Sequence, residues 1–425
     1  MHLGIDDTDS RKGMCTTFTL LSVLREVDLV PLSYPRLVRL NPEIPYKTRG
    51  NGALSVELGL PGGSGKLIGT WRGEPIIMYP DGERVYRESV LEEAAEVVER
   101  LHERDEGTNP GIVISSDRLP EELYWRAVKD VVDTDEIRNH LRHLGARWAE
   151  FGNGRGIIGA SASIAWPGER HTFEALVYRE PRAPETPKGV MWRIGEMAEG
   201  TRGTFNNIDR RNGHVALFPA PITPVVLGVR GTDPESLASL ASRASGMLDA
   251  HGYLTFMSNQ GTDDHLIEGP ERLEDMHSYR ITVRISGRPR TERGSHVFVR
   301  AVYRGQEIDL AAYEPTKEFR DTVRGLMPGD SVTVTGSFSR GTLNLEKLYV
   351  EATALTFERE APACRSCGRR MKSKGRFDYR CQECGTRSDL PEYAVVKRDL
   401  RGTRFQVPVC ARRHLTEPLE LEGLV

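Results

Sequence analysis

Three carboxylates, Asp6, Asp7 and Asp9, crowd into Gly4-Ile5-Asp6-Asp7-Thr8-Asp9-Ser10, where a short apolar strand through Leu3 and Ile5 runs out. Gly13 permits a turn, and Thr16-Thr17 then open an apolar helix through Leu20, Leu21, Val23, Leu24 and Val27. Hard cations prefer oxygen ligands, and Mg²⁺ usually takes one or two carboxylates and leaves its other positions to substrate phosphates and water. A helix start adds backbone N–H groups and a dipole that favours those phosphates. Strand, acidic turn and capped helix together describe a Mg²⁺–nucleotide site. The plainer alternative is a solvated helix entry.

Other strings carry polar chemistry. Asn41-Pro42-Glu43-Ile44-Pro45-Tyr46-Lys47-Thr48-Arg49-Gly50-Asn51-Gly52-Ala53 gathers cations, amides and glycines into one loop, with Lys47, Arg49 and Gly50 suited to phosphates. Residues 152–159, with Arg155, form a second glycine-rich loop of that kind, although tight turns also need glycine. Gly62-Gly63-Ser64-Gly65-Lys66 resembles a phosphate-binding P-loop but fails: Leu60 replaces its first glycine and Leu67 its Ser/Thr. Thr204-Phe205-Asn206-Asn207-Ile208-Asp209 and Asn259-Gln260-Gly261-Thr262-Asp263-Asp264-His265 read equally as ligand loops or as ordinary structure.

Cys364, Cys367, Cys381 and Cys384 follow the pattern C-x2-C-x13-C-x2-C, which reads as four thiolates around a structural zinc. Cys15 and Cys410 stand apart, without an assigned role. Between the pairs lie Arg369, Arg370, Lys372, Lys374, Arg376 and Arg380, with Phe377 and Tyr379 interleaved. Cations neutralise phosphates and an aromatic face stacks an unpaired base, so the module reads as a nucleic-acid grip. The alternative is a solvated basic face over a ring packed on the metal core. Net charge agrees with a grip at one end: residues 361–425 hold 14 Lys+Arg against 8 Asp+Glu, whereas the 425-residue chain sums to −3.

The elements that must position these groups are legible in outline. Helical spacing marks 86–104, 125–132, 135–144 and 234–251, and buried strands are expected at 111–115, 173–178 and 223–229. Residues 278–351 alternate in about five short strands, with a helix near 317–326, which predicts a small closed barrel similar to an OB-fold. Joints are expected near 181–188 and 268–277. The length predicts two to four domains. No apolar run is long enough for a membrane span, and Met1-His2-Leu3-Gly4-Ile5-Asp6-Asp7 turns acidic too early for a signal peptide, so a cytoplasmic location is expected.

Gly4-Ile5-Asp6-Asp7-Thr8-Asp9-Ser10 and Gly13-Met14-Cys15-Thr16-Thr17 resemble the opening of the archaeal tRNA(Ile) 2-agmatinylcytidine synthetases. So do Ile44-Pro45-Tyr46-Lys47-Thr48-Arg49-Gly50-Asn51, Thr108-Asn109-Pro110-Gly111, Gly154-Arg155-Gly156-Ile157-Ile158-Gly159-Ala160, Phe205-Asn206-Asn207 and Asn259-Gln260-Gly261-Thr262-Asp263. The resemblance implies a multidomain α/β and β chain: a kinase-like α/β domain over 1–130, a ferredoxin-like α+β domain over 131–276, an OB-fold over 277–357 and a zinc ribbon over 358–425. It implies a ligase that attaches agmatine to carbon 2 of the wobble cytidine of an isoleucine tRNA. ATP is cleaved to AMP and pyrophosphate, and agmatine displaces a phosphorylated base intermediate. The product pairs with A rather than G. Asp6, Asp7 and Asp9 would face Mg²⁺ and the ATP phosphates, with Thr16 as the catalytic threonine. Lys47, Arg49, Gly50 and Arg155 would contact ATP.

For the agmatine guanidinium the residues offer Asn206, Asn207, Asp209 and Asp263, because a carboxylate pairs with it in two-point geometry. Isoleucine tRNA would be held at its anticodon loop and acceptor region. Two rival readings are a non-catalytic RNA-binding protein and a metal-dependent nuclease using the three acids; AMP formation requiring both agmatine and tRNA separates them from the ligase.

Overall fold

The computed structural model describes residues 1–10, 12–47, 50–103, 107–179, 185–219, 223–396, 398 and 400–423. Strand His2–Asp6 lies inside a mixed sheet, between Gly52–Leu60 and Gly111–Ser115 and antiparallel to both. Its side chains alternate as a two-sided strand requires. Leu3 and Ile5 are fully buried against Leu20, Leu21 and Val23 of helix Thr16–Glu26 and Val97 and Val98 of helix Ser89–Leu101.

The opposite face admits a helix at backbone contact. A methyl on Gly4 would lie 2.3 Å from the Ala160 carbonyl oxygen, and one on Gly111 would lie 2.1 Å from the Ile157 nitrogen. Helix Gly156–Ala165, made of Gly, Ala, Ser and Ile, is nearly all buried on that face. Glu122–Lys129 and Thr134–His143 pack with it in one apolar cluster.

The sheet does not stop at residue 130. Arg147–Glu150 pairs with Gly111–Ser115, so the helix and strand that follow 130 complete the first body rather than begin a second. Further on, Thr172–Tyr178 lies between Val225–Gly231 and Gly252–Ser258, all antiparallel, with helices Lys188–Glu199 and Pro234–Met247 over one face. Gly252–Ser258 then joins Arg36–Arg39 in parallel, Met257 opposite Arg36 and Ser258 opposite Leu37. One hydrogen-bonded sheet therefore runs through both halves. The rejected P-loop string is the turn between Gly52–Leu60 and Lys66–Trp71.

The alternating segment forms a closed five-stranded barrel: His277–Ile285 pairs with Ser331–Ser339, which pairs with Thr342–Ala352, then Gln306–Ala312, then Val297–Tyr303, which returns to His277–Ile285. The helix expected near 317–326 is Phe319–Arg324, with Phe319 and Val323 in the barrel core. Beyond the barrel, the hairpin Thr356–Glu360 and Glu392–Val396 carries the four-cysteine module.

The last residues leave that module. Arg404–Gln406 adds a strand to the barrel at Thr342–Ala352, and Leu415 is buried beside the helix Gly156–Ala165. The chain end is thus a strap that returns across the molecule, not the end of a ribbon spanning 358–425.

Candidate active site

Two clefts meet at the end of the first strand. The first, about 470 Å³, is lined by Asp6, Asp7 and Asp9, by Tyr46, Lys47 and Asn51 of the loop after Arg36–Arg39, and by Asn109, Asp130, Asn153 and Arg155. The second, about 300 Å³, is lined by Cys15, Thr16, Thr17, Arg39, Gly50, Glu174, Arg230 and His414. Asp9, Asn51 and Gly52 belong to both walls.

The acidic turn is held in a form few residues adopt. Asp7 has φ +58°, a region Asp tolerates better than most, and its Oδ2 accepts the Asn109 N–H at 3.0 Å. Thr108 Oγ1 donates to the Asp9 carbonyl at 3.1 Å. Burial, with Asp7 and Asp9 alongside, pushes the Asp6 carboxyl well above its ordinary range. Burial and the nearby Asp9 raise Asp7 to about 7, against lowering contributions from Asn109 and Arg155. Such carboxylates ionise when a cation joins them. Their oxygens do not form a ready-made cage. Among the described residues only the four cysteines form a group of three or more side chains whose ligand atoms all lie within 4.8 Å of one another. A cation here would need phosphate oxygens or water to complete its shell, as Mg²⁺ commonly does.

Helix Thr16–Glu26 starts at the second cleft without a side-chain cap. Thr16 is 4% exposed and lines the second cleft together with Asp9. Arg155 stacks its guanidinium 4.0 Å from the Tyr46 ring centre at the rim of the first cleft. Lys47 donates to the Pro42 carbonyl, and burial and Arg413 lower its pKa. Arg39 donates to the Gly50 carbonyl at 3.3 Å. Arg49 and Thr48 lie outside the described residues.

The glycine-rich string 152–159 is not a phosphate cradle. The N–H groups of Asn153 and Arg155 bond the side chains of Asn109 and Asn153, and Gly156 N–H bonds the Asn109 carbonyl. Gly154, Ile157 and Ile158 N–H groups also bond carbonyls of the same turn. Its glycines serve close packing instead: a methyl on Gly159 would strike Asp6 Oδ2 at 1.9 Å.

The four polar residues suggested for agmatine face neither cleft. Asp263 accepts from Arg280 at 2.7 Å, Lys347 at 2.6 Å and the Glu417 N–H at 2.7 Å. Asp209 accepts from Asn212 at 3.0 Å and the Cys410 N–H at 3.4 Å; burial opposes its ionisation, but these hydrogen bonds prevail and hold its pKa low. Asn206 accepts from Arg412 at 2.6 Å, and Asn207 donates to Thr204 at 2.9 Å. Three of the four therefore anchor the C-terminal strap. The whole string 259–265 is buried as a structural knot: Asn259 clamps the Arg39 backbone and meets Tyr124, and His265 meets Glu346 at 3.3 Å.

Sequence reasoning missed Arg39, Glu174, Arg230 and His414. Glu174 is 1% exposed and lies 3.1 Å from Arg230 and 3.8 Å from Arg39. An acid in the otherwise apolar strand Phe173-Glu174-Ala175-Leu176-Val177-Tyr178 was its available signal. His414 sits in the strap and gave none.

At the ribbon, Cys364 and Cys384 sulfurs lie 3.4 Å apart, as do Cys367 and Cys381. Sulfurs bound tetrahedrally at about 2.3 Å would be separated by roughly 3.8 Å, so the four thiols fit zinc with small adjustment. The six cations singled out there are exposed. Phe377 is 54% exposed, with Arg359 and Arg376 near its face, whereas Tyr379 is buried on the cysteine core.

Comparison with known proteins agrees with this arrangement. Three family models match in order: the TiaS TCKD domain at residues 2–153, the TiaS FLD domain at 154–265 and the TiaS C-terminal zinc ribbon domain at 361–400. The 2-agmatinylcytidine synthetase TiaS of Thermoplasma volcanium, named for an isoleucine tRNA, is 45% identical, covering 100% of this chain and 98% of its own. That of Pyrococcus horikoshii is 35% identical over 99% and 97%. A crystal structure of TiaS in complex with an isoleucine tRNA and ATP matches with TM-score 0.81 and 34% identity, covering 99% of this chain and 96% of that one. A complex of TiaS with the tRNA, AMPCPP and agmatine matches with TM-score 0.79 and 30% identity, over 99% and 96%. Relatives of this identity along nearly the whole length place the chain in the TiaS family of tRNA 2-agmatinylcytidine synthetases.

Proposed function

We propose that this protein is an ATP-dependent ligase that joins agmatine to carbon 2 of the wobble cytidine of an isoleucine tRNA. The observation that carries the reading is the shared wall of the two clefts, where Asp9 faces both a cationic, acid-lined pocket and the Thr16 helix start. ATP phosphates belong in the first cleft near Lys47, Arg49, Gly50 and Arg155, where Asp6, Asp7 and Asp9 would hold Mg²⁺ to neutralise phosphate charge. Phosphoryl transfer needs such positioning more than covalent chemistry. Thr16, on the wall of the second cleft, is the hydroxyl assigned to the phosphoryl step in this reading. Phosphorylating the carbon 2 oxygen of cytosine makes it a leaving group that an amine can displace.

Agmatine belongs in the second cleft, where Glu174 and Asp9 are the acids within reach of a guanidinium. Relatives crystallised with tRNA, with ATP and with an ATP analogue plus agmatine support the reading. The kinase-like, ferredoxin-like and OB-fold labels stay part of the proposal, with the first body carried past residue 130 through Arg147–Glu150 and the strap 404–423 set apart from the ribbon. As an OB-fold, the barrel would hold single-stranded RNA, and the ribbon, loaded with zinc, would grip phosphates. The target base must leave its stack to enter the clefts. No helix among the described residues is long and apolar enough to cross a membrane, and a cytoplasmic location fits a tRNA substrate.

The test is AMP release measured with agmatine, tRNA, both or neither. Repeated turnover only with both supports the ligase; repeated turnover without tRNA or without agmatine, or cut tRNA, supports a plain ATPase or a nuclease.

A further inference from the structure

The strap places a histidine in the second cleft. His414 is exposed to that cleft although protein surrounds it. Its Nδ1 lies 2.8 Å from Gln260 Oε1. A methyl on Gly50 would sit 3.4 Å from its Nε2, so that edge of the ring faces Gly50, which like His414 lines the second cleft.

The hydrogen bonds around Gln260 fix which nitrogen carries the proton. Glu174 is ion-paired with Arg230 and Arg39, so it is a carboxylate that only accepts. The amide of Gln260, 2.5 Å from Glu174 Oε2, must therefore present its NH₂ there. Its Oε1 then accepts from Arg230 Nε at 3.1 Å and from His414. Only the Nδ1–H tautomer of His414 can donate to it. Among the described residues this is the one hydrogen bond the ring makes, and Nε2 is left as a bare lone pair in the cleft.

We infer that His414 Nε2 is the proton acceptor for the attacking amine, an inference that rests on the ligase reading above. As the amine nitrogen bonds to carbon 2, the carbon 2–oxygen bond breaks and the oxygen departs on phosphate. The surplus proton on nitrogen passes to Nε2. The groups facing the ring are Arg39 and Arg230, with Glu174 beyond Gln260 and Asp9 and Cys15 on the cleft wall. The two arginines and burial disfavour imidazolium, so the ring rests neutral and holds the proton only in passing, on its way to solvent. The strap thereby couples the chain end to the amine step.

The experiment uses full-length protein, ATP, labelled agmatine and an isoleucine tRNA transcript. His414→Gln keeps a donor toward Gln260 and removes the base; His414→Ala leaves room for added imidazole. Two rates are read: phosphorylation of tRNA without agmatine, and agmatine incorporation between pH 6 and 9. A base role predicts about a hundredfold slower incorporation in both variants, with agmatine half-saturation and tRNA phosphorylation within about threefold of wild type. Imidazole should rescue His414→Ala as its neutral fraction rises with pH. Incorporation near the wild-type rate in His414→Gln overturns the inference. Equal loss of both rates, or no rescue by imidazole, also overturns it and makes His414 a packing residue. Failure of the wild-type protein to incorporate agmatine would overturn the ligase reading itself.

Discussion

Gly159→Ala tests whether the acidic turn works by position. A Cβ there would lie 1.9 Å from Asp6 Oδ2, 2.6 Å from its Cγ and 3.1 Å from Ala53 Cβ. To regain ordinary contact the carboxylate must retreat by about 1.5 Å, because repulsion rises steeply inside van der Waals distance. Ala gains about 1 kcal/mol over Gly in a helix interior, while overpacking costs roughly 1–3 kcal/mol. The net loss of stability should therefore be small, a few degrees of Tm at most. Catalysis should suffer more, since a reacting group displaced by about 1 Å commonly costs about a hundredfold. The assay is tRNA-dependent AMP release, with Tm read on the same samples. Gly246→Ala, in an exposed helix position with nothing within 4 Å of the added methyl, is the control and should match or exceed wild-type stability. A folded Gly159→Ala protein with activity within threefold of wild type would refute the idea that Asp6 must stand where it does.

Three further outcomes follow from the geometry. Asp7, raised to about 7 in the folded protein, holds its proton while the unfolded chain has lost it; native stability in metal-free buffer therefore falls as pH rises from about 4 to 7. Asp7→Asn should raise the denaturation midpoint at pH 8, the gain shrinking toward pH 4, while abolishing ATP cleavage; an unchanged pH profile of stability would contradict the buried-acid account. Asp263→Asn leaves the fully buried Lys347 ammonium with only the more distant Glu422 carboxylate, 3.8 Å away, and should cost about 3 kcal/mol in denaturant titration, with agmatine half-saturation unchanged in protein that remains folded. Removing residues 361–400, which hold ten Lys+Arg against five Asp+Glu, by a short linker that retains the strap should weaken tRNA binding and flatten its salt dependence. An unchanged slope would show that the ribbon does not meet phosphate.

What the sequence made legible was local chemistry. The Asp6-Asp7-Thr8-Asp9 turn, the helix start at Thr16 (though not its lack of a side-chain cap) and the four cysteines are each set by residues close in the chain, and alternation alone outlined the barrel. The cross-chain arrangement was not legible. Nothing local says that Met257 pairs beside Arg36, or that residues 404–423 return to the clefts. The residues 152–159 show why glycine misleads: freedom to turn and freedom to pack look alike until Gly156 and Gly159 are seen against Gly111 and Asp6. Asp209 and Asp263 misled for a related reason. A carboxylate beside amides suits a ligand guanidinium, and equally suits the Lys347, Arg280 and backbone N–H groups that occupy Asp263.

The most direct measurement is transfer of labelled agmatine, in the presence of ATP, to two isoleucine tRNA transcripts that differ only at the wobble position. The ligase account predicts label in nuclease-resistant attachment to the wobble nucleoside of the cytidine transcript, with AMP formed alongside, and none in the transcript carrying uridine there. Label in both transcripts, or AMP formed without any label on tRNA, would contradict it.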